Sequence, residues 1–180
     1  MTCKIYLAGP DVFLPNAREI GRRKCELCQE RGVEGLFPLD QDAGAEATAA
    51  SIFQANHALM RRADAGLFNL TPFRGPSADA GTVFELGLMF ALGKPVFGYT
   101  STSASYTDRV DAAFGPAVER DARRYDRNGH LIESFGLTDN LMIDEAVRKA
   151  CGDIAVVGEN GEEALAAMRA FEACLEMLCA

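Results

Sequence analysis

Short apolar runs alternate with amphipathic stretches along almost the whole chain. The apolar runs are typical of strands buried on both faces and lie at residues 4–8, 35–37, 65–70, 96–99 and 154–157. Between them, apolar residues recur three or four positions apart, which predicts helices at residues 17–31, 45–62, 81–92 and 161–178. This alternation predicts a doubly wound α/β fold, with a five-stranded parallel sheet flanked by helices as in flavodoxin-like and Rossmann-like proteins, in a single domain over residues 1–180.

The second predicted helix and the segment after the fourth strand carry more detailed expectations. In the helix, one face is apolar and is expected to pack inward; it consists of Ile52, Phe53, Leu59 and Met60. Beyond the fourth strand the pattern loosens. Residues 100–106 are rich in Ser and Thr, and residues 108–130 are heavily charged, so we expect this second stretch to be helical in part.

Composition and charge narrow the classes of partner. The 180 residues include 18 basic and 26 acidic side chains, for a net charge of −8, and 48% are hydrophobic. An acidic domain lacks the Lys/Arg field that supplies most non-specific nucleic-acid affinity, so polymeric DNA or RNA is not an expected partner. The sequence has no apolar run long enough to span a membrane, and no signal-peptide pattern at its start. We therefore expect a cytoplasmic protein with no membrane partner.

The carboxyl ends of the strands are where a doubly wound sheet binds ligands, and the clearest anomaly at that edge is Glu85. It is the only charged residue between Gly81 and Gly93, inside a helix that is apolar nearly all round. A lone carboxylate there is costly unless it is paired, capped or exposed in a cleft. Residues 82–85 (TVFE) match a capping box, which would make Glu85 structural. Alternatively, the helix N-terminus keeps Glu85 ionised in the crevice, as a nucleophile requires.

Other polar residues can be interpreted in the same two ways. Asp79 lies in the loop that leads into the helix of Glu85, and it is either the N-cap of that helix or a second carboxylate of the same pocket. Asp64 precedes the third strand and is either a solvent-facing loop residue or a third acid. Asn56 lies on an apolar helix stripe, where a buried Asn most often binds a backbone group. Tyr6 is an ordinary strand residue whose hydroxyl needs a partner if buried, and Glu85 would suffice.

Several kinds of reaction are excluded by the motifs. The turn at Gly9 is not a dinucleotide fingerprint, and the sequence has no Walker-type loop or nucleophile elbow. Phe13, just after this turn, is either a core residue or a stacking plate for a flat ligand. Carboxylate chemistry remains, and pairs of carboxylates are the usual groups for glycosyl transfer.

Three blocks of the sequence carry a resemblance to a known family. They are KIYLAGPDVF (residues 4–13), NLTPFRGPSADAGTVFELGLMFALGKPVFGY (residues 69–99) and ESFGLTDNLM (residues 133–142). In this order and spacing they resemble the nucleoside 2-deoxyribosyltransferases. The resemblance implies an enzyme that moves 2-deoxyribose between purine or pyrimidine bases through a covalent ester, with no metal or organic cofactor. Nucleoside salvage is the pathway expected for such an enzyme. Deoxynucleosides and free nucleobases are the implied partners.

The resemblance also implies a role for each matching residue. Glu85 would be the nucleophile, Tyr6 would orient it, and Asp64 would lie near the base as the candidate proton donor. The implied substrate-binding residues are Asp79 for the sugar hydroxyls, Gly9 and Phe13 in the base slot, and Asp11 at a position of the base-slot loop that could set purine or pyrimidine preference. Asn140, with Met142 near it, would complete the site of a neighbouring subunit, which implies a homo-oligomer.

Two alternatives remain open at this point. A deoxynucleoside 5′-monophosphate N-hydrolase would share the fold and the nucleophile but would need phosphate donors, for which Arg74, Ser77 and the serines of residues 101–105 are candidates. A nucleoside-binding domain without catalysis would keep the crevice but would not need an ionised carboxylate aimed at the sugar.

Overall fold

The computed structural model describes residues 2–40, 48–157 and 163–179. Its strands are β1 (Lys4–Ala8), β2 (Glu34–Leu36), β3 (Ala65–Asn69), β4 (Val96–Thr100), β5 (Val118–Arg120), β6 (Arg123–Tyr125), β7 (Leu131–Ile132) and β8 (Ala155–Val156). Its α-helices are α1 (Ala17–Glu30), α2 (Ala49–Arg62), α3 (Ala80–Ala91), α4 (Tyr106–Phe114), α5 (Leu141–Cys151) and α6 (Glu163–Cys179). The predicted starts of α2 at residue 45 and of α6 at residue 161 fall outside the described residues.

The main sheet confirms the predicted fold class. Its five strands are all parallel, in the order β2-β1-β3-β4-β8, with Tyr6 opposite Gly66 and Leu67 opposite Phe97. The strand order reverses between β1 and β3, so the crevice for a ligand lies beyond the carboxyl ends of these two strands. Among the described residues, no helix combines the length and the apolar character that a membrane span requires.

Both faces of this sheet are covered by helices. Successive side chains of a strand point to opposite faces, and β1 shows this directly. Ile5 and Leu7 join the core beneath α1 and α6, whereas Tyr6 and Ala8 join the core beneath α2, α3 and α5. The central strands β1, β3 and β4 therefore lack an exposed face, which is why nearly all of their residues are apolar. Tyr6 is consequently aimed at the side of the sheet that carries α2 and α3.

The charged segment after β4 is helical in part, as predicted, but it also contains strands that were not predicted. Only residues 106–114 are helical, and the rest forms a separate antiparallel sheet in the order β5-β6-β7. Between β5 and β6, Asp121 and Ala122 both have positive φ angles, of 50° and 59°, as a two-residue hairpin turn of type I′ requires. Most residues of these strands are exposed or half-buried. No apolar run therefore marked them in the sequence.

The apolar stripe of α2 is only half buried, so the predicted inner face is partly wrong. Leu59 and Met60 are buried, but Ile52 and Phe53 are 48% and 55% exposed. Only the second half of α2 packs on the sheet. The ring of Phe53 lies 6.3 Å from that of Phe84 on α3, which is also exposed. The first half of α2 and the outer side of α3 thus form one exposed apolar surface.

Candidate active site

Glu85 lies in the second turn of α3, where three elements of the fold meet. Tyr6 of β1 donates a hydrogen bond from its hydroxyl to Glu85 Oε1 at 2.7 Å, and Asn56 of α2 donates from Nδ2 to the same oxygen at 3.3 Å. The N-cap of α3 is Asp79, which accepts a hydrogen bond from the Thr82 backbone amide. The capping-box interpretation of Glu85 is therefore wrong, because Thr82 is inside the helix and Glu85 binds side chains of other elements.

The surroundings of Glu85 act on its pKa in opposite directions. Burial raises the pKa above its usual value, and the hydrogen bonds from Tyr6 and Asn56 lower it; the nearby charge of Asp79 raises it, and the net shift is upward. The pKa of Tyr6 is raised by burial and by Glu85, so its hydroxyl stays protonated and remains a donor. Both hydrogen bonds reach Oε1, and no other described residue donates to Oε2. Oε2 is therefore the oxygen available to attack a carbon atom.

Asp79 is both the N-cap of α3 and a second carboxylate near Glu85, the two interpretations that its sequence position allowed. Its Oδ2 accepts from the Thr82 amide at 2.9 Å and from the Thr82 hydroxyl at 3.1 Å, which caps α3. Its charge is also close enough to raise the pKa of Glu85. Within the described part of the chain, Oδ1 accepts no hydrogen bond. One oxygen of Asp79 is thus used by the fold, and the other is available to a ligand.

Gly9 and Asp11 shape the turn after β1 without pointing a side chain at the crevice. A Cβ atom on Gly9 would lie 2.5 Å from Cβ of Asn69, so only glycine allows the ends of β1 and β3 to approach this closely. Asp11 is buried and accepts from Lys24 Nζ at 2.7 Å and from Asn69 Nδ2 at 3.0 Å. The structure gives Asp11 a different role from setting purine or pyrimidine preference: a buried ammonium group requires a counter-charge, and Asp11 supplies it to Lys24.

Phe13 belongs to an exposed aromatic cluster at the same edge of the sheet. It is 53% exposed, so it is not a core residue. Its ring stacks on Phe73 with centroids 5.1 Å apart and planes 10° from parallel. The Arg74 guanidinium lies 5.2 Å from the Phe13 ring and 4.6 Å from the Phe73 ring. The sequence analysis missed Phe73 and considered Arg74 only as a phosphate donor, because stacking across two loops leaves no periodic signal.

Asp64 lies at the opposite edge of the sheet from the end of β1. Its Oδ2 accepts from the backbone amide of Lys4, the first residue of β1, at 2.8 Å, and the residue is exposed. Because Asp64 immediately precedes β3 in a parallel sheet, it must lie with the amino ends of the strands. The expectation that Asp64 lies near the base is therefore wrong, and we do not retain it as the proton donor.

Asn140 and Met142 lie at the N-terminus of α5. Asn140 is the N-cap: its Oδ1 accepts from the Met142 amide at 3.0 Å, and its Nδ2 donates to Glu133 Oε1 at 3.0 Å. Within one chain these bonds hold Asn140, and none of them involves Tyr6, Asn56 or Glu85. The Met142 side chain is 72% exposed. The structure thus leaves Met142 on the surface at the start of α5.

The arrangement suits nucleophilic chemistry by a carboxylate. A half-buried Glu85 is held through one oxygen by two neutral donors, and a second carboxylate lies close by. Across residues 2–40, 48–157 and 163–179, no group of three or more His, Cys, Asp or Glu side chains is placed to hold a metal ion.

Comparison with known proteins identifies the relatives of this fold and site. The sequence model of the nucleoside 2-deoxyribosyltransferase family matches residues 5–142. An uncharacterized protein of Schizosaccharomyces pombe is 36% identical, over 84% of this chain and 80% of its own length. A solved 2-desoxiribosyltransferase from Leishmania mexicana is 31% identical, with a TM-score of 0.62 over 78% of this chain and 85% of that chain. A conserved protein from Enterococcus faecalis, 19% identical, shares the fold with a TM-score of 0.52 over 96% of this chain and 99% of its own.

Proposed function

Because the chain belongs to the nucleoside 2-deoxyribosyltransferase family, we propose that it transfers 2-deoxyribose between nucleobases through an ester on Glu85. The observation that carries this proposal is the way in which the Glu85 carboxylate is held by hydrogen bonds to one of its two oxygens. Tyr6 and Asn56 hold Oε1 in place, which leaves Oε2 as the attacking oxygen. A fixed carboxylate lowers the entropic cost of reaching the anomeric carbon, and a covalent intermediate divides one difficult displacement into two easier ones.

The reaction proceeds in two balanced steps. In the first, Oε2 of Glu85 attacks C1′ of the bound deoxynucleoside, the C1′–N bond breaks, and its electron pair leaves with the base, which takes up a proton from solvent. In the second, a ring nitrogen of the incoming base attacks C1′ and loses its proton. The ester C1′–O bond breaks, and its electron pair returns to Glu85. Two displacements at C1′ retain its configuration.

The substrate groups are assigned to the residues around this carboxylate. Asp79 binds the sugar hydroxyls through its available oxygen, since Oδ2 already caps α3. Phe13 stacks on the purine or pyrimidine base, with Phe73 beside it and Gly9 at the floor of the slot. The support for this assignment is that Phe13 stacks on Phe73 and is still 53% exposed, which leaves aromatic surface for a flat ligand to cover.

A homo-oligomer is part of the same proposal. Asn140 and Met142 complete the site of a neighbouring subunit. The support is that five large apolar side chains between the end of α4 and the start of α5 are exposed, as they would be on a surface that meets another subunit. These side chains are Phe114, Val118, Leu131, Phe135 and Met142.

Hydrolysis of deoxynucleoside 5′-monophosphates is the alternative, and internal contacts occupy most of its candidate phosphate donors. The hydroxyl of Ser77 donates to Asp139, that of Ser101 bonds to Thr71, and that of Ser105 caps α4. Of the candidate donors, Arg74 on the aromatic cluster and Ser103 remain exposed. These contacts favour transfer between free bases over a phosphate-dependent reaction.

A chromatographic assay of the purified protein tests the proposal. The protein is incubated with 2′-deoxyinosine, with and without free adenine or cytosine. A new deoxynucleoside that forms only with the acceptor base is the expected result. The matched Glu85→Gln variant, which keeps the shape of the side chain, should form none. Release of hypoxanthine alone, faster from the 5′-monophosphate, would contradict transfer in favour of hydrolysis, and binding without any product would indicate a non-catalytic domain.

A further inference from the structure

A buried ion pair outside the Glu85 site joins α4 to the start of α5. Arg109 Nη2 lies 3.2 Å from Asp139 Oδ2, and the two side chains are only 9% and 1% exposed. Taking two charges out of water is costly, and their attraction alone seldom repays that cost. Both side chains therefore need further hydrogen bonds to offset that cost. Their other partners identify the parts of the chain that the ion pair connects.

The first set of partners is the loop that leads to Asp79. Asp139 Oδ1 accepts from the Ser77 hydroxyl, and Oδ2 accepts from the Ala78 backbone amide at 3.0 Å. Arg109 Nε donates to the Pro76 carbonyl at 2.7 Å. Each of the three residues before Asp79, residues 76–78, thus forms a hydrogen bond with the ion pair. The loop lies between β3 and α3 without regular structure, and within it the Phe73 amide also donates to the Ser77 carbonyl at 3.0 Å.

The second set of partners anchors the ion pair itself. Asp139 Oδ1 also accepts from the Asn140 amide at 2.7 Å, and Arg109 donates to the Thr138 carbonyl at 2.8 Å. Asp144 of α5 accepts from the Thr138 and Asp139 amides at 3.0 Å and 2.7 Å. The carboxylate of Asp139 is therefore fixed to the N-terminus of α5, a rigid element, before it contacts the loop.

Only a carboxylate satisfies this arrangement. Every group that Asp139 contacts through its side chain is a donor: one hydroxyl, two backbone amides and a guanidinium. A carboxylate is an acceptor at both oxygens, whereas an amide of the same shape would turn an NH₂ group towards donors. The substitution Asp139→Asn would thus weaken the hydrogen bonds to the loop while preserving the volume of the side chain.

We propose that Asp139, held by Arg109, is a positioning residue that fixes the loop of residues 76–78 and thereby places Asp79 against the sugar. This inference rests on the proposed function, since it requires Asp79 to bind substrate. Asp139 itself touches no reacting atom. Its effect passes through Asp79, so its loss should weaken nucleoside binding more than it slows the chemical step.

The test compares two Asp→Asn variants that break an ion pair with α4. Asp139→Asn removes the grip on the loop. Asp111→Asn is the matched control, because Asp111 lies on the same helix as Arg109 and pairs with Arg124 at 2.5 Å, away from residues 76–78. At a temperature where both variants are folded by circular dichroism, Asp139→Asn should raise KM for 2′-deoxyinosine about tenfold or more, with a smaller change in kcat. Asp111→Asn should stay within about twofold of wild type.

Ser77→Ala provides a milder variant for the same link, since it removes one contact of the loop and leaves the ion pair intact. It should raise KM by severalfold, and combining it with Asp139→Asn should add little. A double-mutant cycle with Asp79→Asn, measured as the dissociation constant of 2′-deoxyinosine in a Glu85→Gln background, should show that Asp139→Asn has little further effect once Asp79 is changed.

Three outcomes would overturn the inference. In the first, Asp139→Asn and Asp111→Asn change KM equally. In the second, Asp139→Asn does not fold and Ser77→Ala leaves KM unchanged. In the third, Asp139→Asn changes the dissociation constant by the same factor with and without the Asp79→Asn substitution. Absence of transfer by the wild-type protein would instead refute the proposed function, so the two failures can be told apart.

Discussion

The hydroxyl of Tyr6 is the group whose removal tests the site most directly. In Tyr6→Phe the buried ring stays in place and one oxygen is lost, so the core beneath α2 and α3 keeps its volume. Glu85 then retains only the donor of Asn56, at 3.3 Å instead of the 2.7 Å of the Tyr6 hydroxyl. Both the orientation of the carboxylate and its pKa should change, and the two changes can be measured separately.

The magnitude follows from the hydrogen bond that is lost. A hydrogen bond to a charged group contributes about 1.5–3 kcal/mol, which corresponds to about a 10- to 150-fold change in rate if the whole contribution acts on the transition state. The sign of the pH effect is also determined. The bond from Tyr6 lowers the pKa of Glu85, so its loss raises that pKa further. Because attack requires the carboxylate, the acid limb of the pH profile should move to higher pH.

The assay is the pH dependence of kcat/KM for transfer from 2′-deoxyinosine to adenine, which reports the ionisation of the free enzyme. The control is Tyr99→Phe. Tyr99 is an equally buried tyrosine, and its hydroxyl bonds to Lys24 instead of Glu85. We expect the acid limb to move in Tyr6→Phe and to stay in place in Tyr99→Phe. An unchanged limb and rate in Tyr6→Phe, or the same shift in both variants, would refute the role of Tyr6.

Three further predictions concern other parts of the molecule. Mixed oligomers of Glu85→Ala and Asn140→Ala chains should regain transfer activity in a chromatographic assay, since one intact site can form across an interface; no recovery would contradict shared sites. Asp64→Asn should keep kcat/KM within about twofold of wild type because Asp64 lies at the amino edge of the sheet, and a large loss would restore it as a proton donor. Lys24→Met should lower the free energy of unfolding, measured with urea, by about 3–5 kcal/mol because it leaves the buried Asp11 carboxylate unpaired; an unchanged midpoint would show that the pair adds no stability.

The order of apolar runs was sufficient to predict the main parallel sheet, although not the small sheet of β5, β6 and β7. Strands without a polar face require cover on both sides, and a parallel sheet with helices between its strands meets that requirement. The contact between Tyr6 and Glu85 was also predictable. The period of two along β1 separates Tyr6 from Ile5 and Leu7, and a carboxylate isolated in an apolar helix needs a donor. The topology alone could have excluded Asp64, because a residue that precedes a parallel strand cannot reach the edge where the strands end.

What the sequence determined by itself is therefore the main parallel sheet and the position of Glu85 at its carboxyl edge, since periodicity and isolated charges are local signals. Only the tertiary structure decided which partners meet. Asn56 donates a hydrogen bond to Glu85, and Lys24 donates one to the buried Asp11. Asp139 binds a loop that is more than 60 residues away in the chain. These pairings depend on the packing of separate elements, and a buried polar group takes whichever partner that packing brings within hydrogen-bonding distance.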